Sequence, residues 1–203
     1  CSNLTNRRRH IEMAFSKVPI EDLSAPFRAK VESVKALGGD PSFFQFAANA
    51  EHIVDFYWTD FYRKVFFGGV LPIRVKELVR LRLTLYSGCS FCQVGDSASA
   101  VEHGVTEEEI RTLLDPSLEL DFLNVAERAA IRFADAVASL SPVMPIQTEL
   151  HNELASHFSD CELVELFTIV GVLTGMGRML AASGFIPATC DISGVMPDST
   201  FDK

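Results

Sequence analysis

The residues with the clearest chemical potential are two cysteines, Cys89 and Cys92, in the segment SGCSFCQVGDSASAVEHG (87–104). Two thiols at this spacing can form a reversible disulfide, supply half of a zinc site, or pack as small apolar residues. Asp96 follows Cys92 by four residues, which is about one helical turn. Any account of the two thiols must therefore explain the carboxylate beside them.

A redox or nucleophilic role is the favoured interpretation of the cysteine pair. A structural zinc ion needs four ligands, and the sequence has no second CxxC motif and no HxxxH near the pair. Both cysteines follow Ser87-Gly88 in the first turn of a predicted helix. Free N–H groups and the positive end of the helix dipole stabilise a thiolate there. Simple burial of two small residues stays open as an alternative.

The elements that must position this pair are all predicted to be helices. Apolar residues recur with helical period along most of the chain, and no segment alternates as a strand does. Helices are expected at 26–38, 40–69, 72–88, 89–103 and near 160–184, with Thr106 and Glu109 forming a capping box before another helix. We therefore predict one all-α domain over residues 13–203, with a CxxC core at 70–114 and a flexible N-terminal extension at 1–12.

Composition narrows the possible partners and the compartment. The chain has 203 residues, 48% of them apolar, and a net charge of -9, which disfavours binding to nucleic acid. Five irregularly spaced cysteines favour a reducing, cytoplasmic compartment over a disulfide framework. The apolar segment 163–180 contains Glu165 and Arg178, so we expect a buried or oligomer-interface helix, not a membrane span. Gly171 and Gly175 within it would allow another helix to approach closely.

The segment KELVRLRLTLYSGCSFCQVGDSASAVEHGVTEEEI (76–110) resembles the carboxymuconolactone decarboxylase superfamily, and specifically its alkylhydroperoxidase D-like branch. The shared features are a Glu twelve residues before the first Cys, the CxxC at a helix start and the ending EHGVTEEEI. The resemblance implies an all-helical fold that assembles into trimers, hexamers or dimers. It also implies thiol peroxidase or disulfide reductase chemistry without a cofactor.

The resemblance also implies roles for individual residues. Cys92 matches the thiol that attacks a hydroperoxide, Cys89 the resolving thiol, and Glu77 the acid that drives proton removal. Asp96 stands where redox members of the family carry His. His52 could approach from a neighbouring helix or subunit as a supporting group. His103 shares a helix face with Cys92 but lies about 16 Å along the axis, which is too far to replace the missing His.

Asp96 could replace the family His as part of a carboxylate pair. In an antiparallel hairpin that turns at Ser87-Gly88, Glu77 and Asp96 lie at similar heights. The face of Glu77 shows no obvious basic partner in the sequence, so the two carboxyl groups are expected to share a proton. The alternative is that the stripe Val94, Ala98 and Val101 packs on the preceding helix, which would turn Asp96 towards solvent.

These observations predict an enzyme that reduces small hydroperoxides, or related small molecules, through a Cys89–Cys92 redox pair. An external dithiol reductant or adaptor would regenerate the thiols, and the chain would form a homo-oligomer without nucleic acid or membrane partners. Two alternatives remain open. One is a non-redox decarboxylase or lactone-processing enzyme of the same superfamily, and the other is a catalytically silent oligomeric helical module.

Overall fold

The computed structural model describes residues 16–36, 41–139 and 145–183, and every regular element in these ranges is helical. Two short 3-10 turns, Ile20–Asp22 and Ala48–Ala50, accompany the helices. The helices are α1 Ala25–Ala36, α2 Ser42–Ala47, α3 Glu51–Val54, a π-helix Asp55–Phe66, α4 Ile73–Ser87, α5 Ser90–Glu102, α6 Glu107–Leu114, α7 Val125–Ser139, α8 Thr148–His157 and α9 Asp160–Ala182. The predicted all-α class is confirmed. The predicted extension 1–12, Asp40, and the tail with Cys190 lie outside the described residues.

Helix α4 is the centre of the bundle. It packs against α5, α6, α7 and α9, and its residues from Val75 to Leu81 are all buried. Apolar residues of α4 join those of α7 and α9 in the main hydrophobic core. Three of the buried α4 side chains are charged: Lys76, Glu77 and Arg80. A charged side chain is rarely fully buried unless it is paired, so each of these three should have a specific partner.

The α4–α5 hairpin has the geometry that the sequence predicted. Gly88 ends α4 in the left-handed conformation (φ 62°), which glycine adopts without strain, and its N–H donates to Thr84 O. Cys89 then caps α5, because its Sγ accepts the backbone N–H of Cys92 at 3.1 Å. Beyond α5, Thr106 and Glu109 form the predicted capping box. The cysteine pair is thereby fixed at the start of a helix that runs back along α4.

The predicted helix 40–69 is instead divided into α2, a 3-10 turn, α3 and the π-helix. In a π-helix, residues five apart lie in one row along the helix. This segment carries aromatic residues at that spacing. Tyr57 and Tyr62 have ring centroids 5.1 Å apart, and Phe61 and Phe66 are 6.5 Å apart. Packing of such rings contributes roughly 1 kcal/mol per pair beyond burial, which helps to offset the poorer winding.

Two hydrophobic cores are present in the described ranges. The larger one is built from α4, α6, α7, α8, α9 and the π-helix. The smaller one lies under α1–α3 and consists of Leu23, Phe27, Val31, Phe44, Ala47 and Val54. Trp58 of the π-helix packs against the smaller core, whereas Phe61 and Phe66 belong to the larger one. The π-helix therefore joins the two cores.

Helix α9 fixes the loop that precedes α4. The Glu165 carboxylate accepts the backbone N–H groups of Val70 and Leu71, at 2.7 and 2.9 Å, and pairs with the buried Lys76 ammonium at 3.1 Å. A Cβ at Gly69 would lie 2.4 Å from the same carboxylate, so a side chain at this position would displace the Glu165 carboxylate. The start of α4 is thus held by a polar cluster inside the larger core.

Only one face of α9 is buried, by Leu166, Ile169 and Val170. On the opposite face Val164 is 67% exposed, and a Cβ at Gly171 or Gly175 would meet nothing within 4 Å. Of the two predicted alternatives, a buried helix or an oligomer-interface helix, full burial is not observed. Among the described residues α9 alone is long and apolar enough to cross a membrane, on length and composition only, with a mean hydropathy of 1.6.

Candidate active site

Cys89 and Cys92 are joined by a disulfide, with their Cα atoms 5.2 Å apart. Cys89 is buried and Cys92 is half-buried. The remaining cysteine in the described ranges, Cys161, is an exposed free thiol. Cys89 and Cys92 can therefore exchange two electrons by breaking and forming this disulfide, and Cys92 is the more accessible residue.

The disulfide borders a cavity of about 630 Å³ between the two cores. One wall comes from α2 and the π-helix, a second from α4 and α5, and a third from α9. The lining is mainly apolar and aromatic: Phe43, Phe44, Tyr57, Trp58, Tyr62, Phe67, Leu83, Leu173, Met176 and Leu180. Polar groups are few and include Arg63, Arg80 and Asp96. Such a cavity suits a small organic molecule whose body is apolar.

Glu77 lies behind the α5 wall of this cavity and is fully buried. Its carboxylate pairs with Arg80 one turn along α4, accepts the Ser99 hydroxyl at 2.8 Å, and lies 2.9 Å from His103 Nδ1. The Arg80 guanidinium is 6% exposed and also approaches Asp96, with Nε 3.4 Å from Oδ1. Arg80 therefore bridges the two carboxylates.

The expectation that Glu77 lacks a basic partner is wrong. Arg80 is three residues further along α4, on the neighbouring part of the same face, and its guanidinium neutralises Glu77. Glu77 and Asp96 consequently meet through a cation and not as two carboxyl groups that share one proton. The alternative in which Asp96 points to solvent is also not what the structure shows, because Ala98 and Val101 are exposed and Asp96 faces α4.

Asp96 is held in an environment that favours its neutral form. Burial raises its pKa to about 6; the Arg80 charge opposes this rise and the Glu77 charge adds to it. The Asp96 side chain is 19% exposed. A carboxyl group with this pKa exchanges its proton near neutral pH, which is the range in which a catalytic acid or base is most effective.

The raised pKa of Asp96 predicts a pH-dependent stability difference between the wild type and Asp96→Asn. In the native state Asp96 retains its proton up to about pH 6, whereas in the unfolded chain it loses it near pH 4. The contribution of Asp96 to wild-type stability should therefore fall as pH rises from 4 to 6, and Asp96→Asn should remove this contribution. We expect the free energy of unfolding of Asp96→Asn, relative to that of wild type, to increase by about 2 kcal/mol from pH 4 to pH 7. Urea unfolding of the two oxidised proteins measures this change. A constant difference across this range would contradict the assignment.

His103 and His52 occupy unlike environments. His103 is half-buried, contacts Glu77 through Nδ1 and packs its ring 5.6 Å from that of Phe67. The distance of His103 from Cys92 along α5 gave no indication of this contact with Glu77. His52, named as possible support, is exposed and does not line the cavity.

Two tyrosines at the cavity were not anticipated. Burial raises the pKa of both Tyr57 and Tyr62, and the Asp96 charge acts in the same direction. Both hydroxyls therefore stay protonated and are available as hydrogen-bond donors at the cavity wall. The signal in the sequence was their five-residue spacing, which places them on one face only in a π-helix.

No group of three or more His, Cys, Asp or Glu side chains that could hold a metal ion occurs within 16–36, 41–139 and 145–183. The polar groups beside the disulfide are instead one cation, two carboxylates and hydroxyls. They can move protons to and from a sulfur or oxygen atom without any ligand exchange.

Comparison with known proteins places this site in a family. Residues 54–136 match the carboxymuconolactone decarboxylase family. This segment is similar to that family. It contains the π-helix from its first turn, α4, the CxxC and α5, and thus most of the residues around the cavity. The predicted resemblance is confirmed.

Two proteins resemble this chain, one in sequence and one in structure. The uncharacterized protein YdfG of Bacillus subtilis (strain 168) is 28% identical over 109 residues, which is 54% of this chain and 73% of that protein. A peroxidase-related protein of Silicibacter sp. TM1040 has a TM-score of 0.66 at 20% identity, covering 85% of this chain and 91% of its own.

Two further structures extend the comparison. A peroxidase-related protein of Ralstonia eutropha JMP134, with an alkylhydroperoxidase AhpD core, has a TM-score of 0.66 at 18% identity and covers 86% of this chain and 92% of its own. The debrominase Bmp8, in complex with 2,3,4-tribromopyrrole, has a TM-score of 0.64 at 22% identity. The match covers 85% of this chain and 90% of the Bmp8 chain. At these identities the likeness shows a common helical fold.

Proposed function

We propose that the chain is a thiol-dependent peroxidase and disulfide oxidoreductase that reduces small organic hydroperoxides through Cys89 and Cys92. The observation that carries the proposal is a disulfide at the start of α5 that opens into an apolar cavity. Cys92 is the less buried residue of the two, which favours it for attack on a substrate in the cavity. The peroxidase-related structures with the same fold support this choice of reaction class.

The proposed reaction needs two thiols and no cofactor. The Cys92 thiolate attacks the terminal oxygen of the hydroperoxide, the O–O bond breaks, and the departing alkoxide takes up a proton to become an alcohol. Cys92 is then a sulfenic acid. The Cys89 thiol attacks its sulfur, a disulfide forms, and the hydroxyl group leaves as water with the Cys89 proton. One hydroperoxide is thereby reduced by two electrons.

We assign the proton chemistry to Asp96 and Glu77. Near pH 6 Asp96 is partly protonated, so it can supply the proton that the departing alkoxide requires. Glu77 takes the role of the base, and its carboxylate contacts the Ser99 hydroxyl and His103 Nδ1. The peroxidase pH profile should shift in Asp96→Asn, and Asp96→His should recover a profile like that of family members with His. Three superimposable profiles would remove Asp96 from the mechanism.

The experiment that tests the proposed function is a hydroperoxide titration of the reduced protein. One equivalent of cumene hydroperoxide should convert both thiols into the Cys89–Cys92 disulfide, which mass spectrometry of the 89–92 peptide detects. Continued turnover should then require an external dithiol such as a thioredoxin-type reductant or adaptor. Slow, unpaired oxidation of the two thiols would instead favour the non-redox decarboxylase or lactone-processing alternative, or a silent helical module.

We further propose that α9 assembles the chain into a homo-oligomer. Its exposed face carries Val164, Thr168, Gly171 and Gly175, and the two glycines leave room for a helix of a second copy. Light scattering at micromolar concentration should give the mass of a dimer, trimer or hexamer. Gly171→Leu should lower this mass, whereas a monomeric wild type would contradict the proposal.

A further inference from the structure

Arg63 is a cation on the cavity wall that no other group in the described ranges neutralises. It lies on the π-helix, is exposed, and lines the cavity together with Trp58 and Phe67. Each other arginine or lysine of that helix and of α4 has an acidic partner: Lys64 pairs with Asp60, Arg74 with Glu109, Lys76 with Glu165, Arg80 with Glu77 and Arg82 with Asp135. Arg63 has neither an ion pair nor a hydrogen bond from its side chain within those ranges.

The inner end of the cavity, at the disulfide, differs in charge from the rim, where Arg63 lies. Arg80 is already engaged by Glu77 and Asp96, so the disulfide end presents no free positive charge. The carboxylate of a ligand placed there would be repelled by both Glu77 and Asp96. Of the two cations that line the cavity, Arg63 is therefore the one that can favourably accommodate an anionic group, with the apolar body of the ligand extending over Trp58, Phe67 and the α9 wall towards the disulfide.

The net charge of the chain strengthens this distinction. With a formal charge of -9, the protein as a whole repels anions. An unpaired cation at the rim of an apolar cavity creates a local site at which one negative group is nevertheless favourable. A wholly neutral ligand would gain nothing from Arg63, and a wholly polar one would gain nothing from the aromatic walls.

We propose that the cavity binds amphipathic monoanions: an apolar chain or ring with one carboxylate at Arg63 and the opposite end near Cys92. This inference rests on the proposed function for the reactive end only. The substrate class would then be hydroperoxides of apolar carboxylic acids. The O–O bond is cleaved at Cys92 as described above, and the carboxylate is unchanged by the reaction.

The binding step can be tested without turnover. Trp58 is the single tryptophan of the chain and lines the cavity, so its fluorescence reports occupancy. Oxidised protein is titrated with decanoate and with decanol. We expect decanoate to bind Arg63→Gln about fivefold more weakly than wild type, with decanol binding both equally. Lys64→Gln is the matched control: it removes the same charge one residue away, from a side chain paired with Asp60.

Equal decanoate affinity in wild type and Arg63→Gln, an equal loss in Lys64→Gln, or no saturable decanoate binding would each overturn the inference. The result is separable from the proposed function. Arg63-dependent decanoate binding in a protein that reduces no hydroperoxide would support this site and contradict the peroxidase. If the protein reduces cumene hydroperoxide but Arg63→Gln binds decanoate as tightly as wild type, the peroxidase is supported and the Arg63 site is contradicted.

Discussion

Replacing Cys92 by serine should abolish hydroperoxide consumption, with the rate reduced by about a thousandfold or more, because the attacking sulfur is lost. Cys89→Ser should instead retain the first reduction and stop there. Its Cys92 sulfenic acid has no neighbouring thiol with which to condense. Stopped-flow measurement of one equivalent of hydroperoxide separates these outcomes, and a sulfenic-acid reagent should label only the Cys89 variant.

Cys161→Ser is the matched control for this experiment. Cys161 is an exposed free thiol on α9, away from the cavity, so its loss should leave the rate unchanged. If Cys92→Ser consumes hydroperoxide at the wild-type rate while Cys89→Ser does not, the two roles are reversed. If both variants retain full activity, the thiols are not the reacting groups.

Glu77→Ala is expected to destabilise the fold by about 3–5 kcal/mol, because it leaves the Arg80 guanidinium buried with Asp96 as its remaining acidic partner. Arg80→Met should cost less. A buried Glu77 without its cation can take up a proton and become neutral, whereas an arginine side chain cannot lose its charge under these conditions. Urea unfolding of both single variants and the double variant measures the coupling between the two residues.

Glu153→Ala provides the comparison for this pair. Glu153 pairs with Arg132 across α7 and α8, but the two side chains are 30% and 54% exposed, so breaking this pair should cost less than about 1 kcal/mol. If Arg80→Met is less stable than Glu77→Ala, the predicted order of the two losses of stability is wrong. A loss for Glu77→Ala no larger than for Glu153→Ala would mean that water reaches the buried network.

The helical architecture around the cysteines was predictable from local signals. Gly88 and Gly104 both adopt positive φ where the sequence placed helix ends, and the Thr106–Glu109 capping box forms as expected. These features depend on a few adjacent residues, whose conformational preferences are strong. The π-helix was not predictable in the same way, because its sequence also has good helical periodicity and its winding depends on ring packing.

The polar network was only partly predictable. Arg80 and Asp96 are each eight residues from Gly88, so equal heights in the hairpin predict a contact between these two residues. The predicted pairing of Asp96 with Glu77 did not take Arg80 into account. His103 could also have been found by measuring its height from Glu77. Arg63 and the smaller core could not be placed from the sequence, since the position of α2 and Trp58 depends on contacts between distant segments.

The presence of two separate cores gives the cavity an evolutionary freedom that a single core would not allow. One wall is carried by the smaller core under α1–α3, whereas the cysteine pair and its proton network are anchored in the larger bundle around α4. Substitutions in the smaller core can change the shape of the cavity while the bundle retains its packing. Selection can therefore reshape this part of the wall with little effect on the thiols, because the wall under α1–α3 and the cysteine pair rest on different cores.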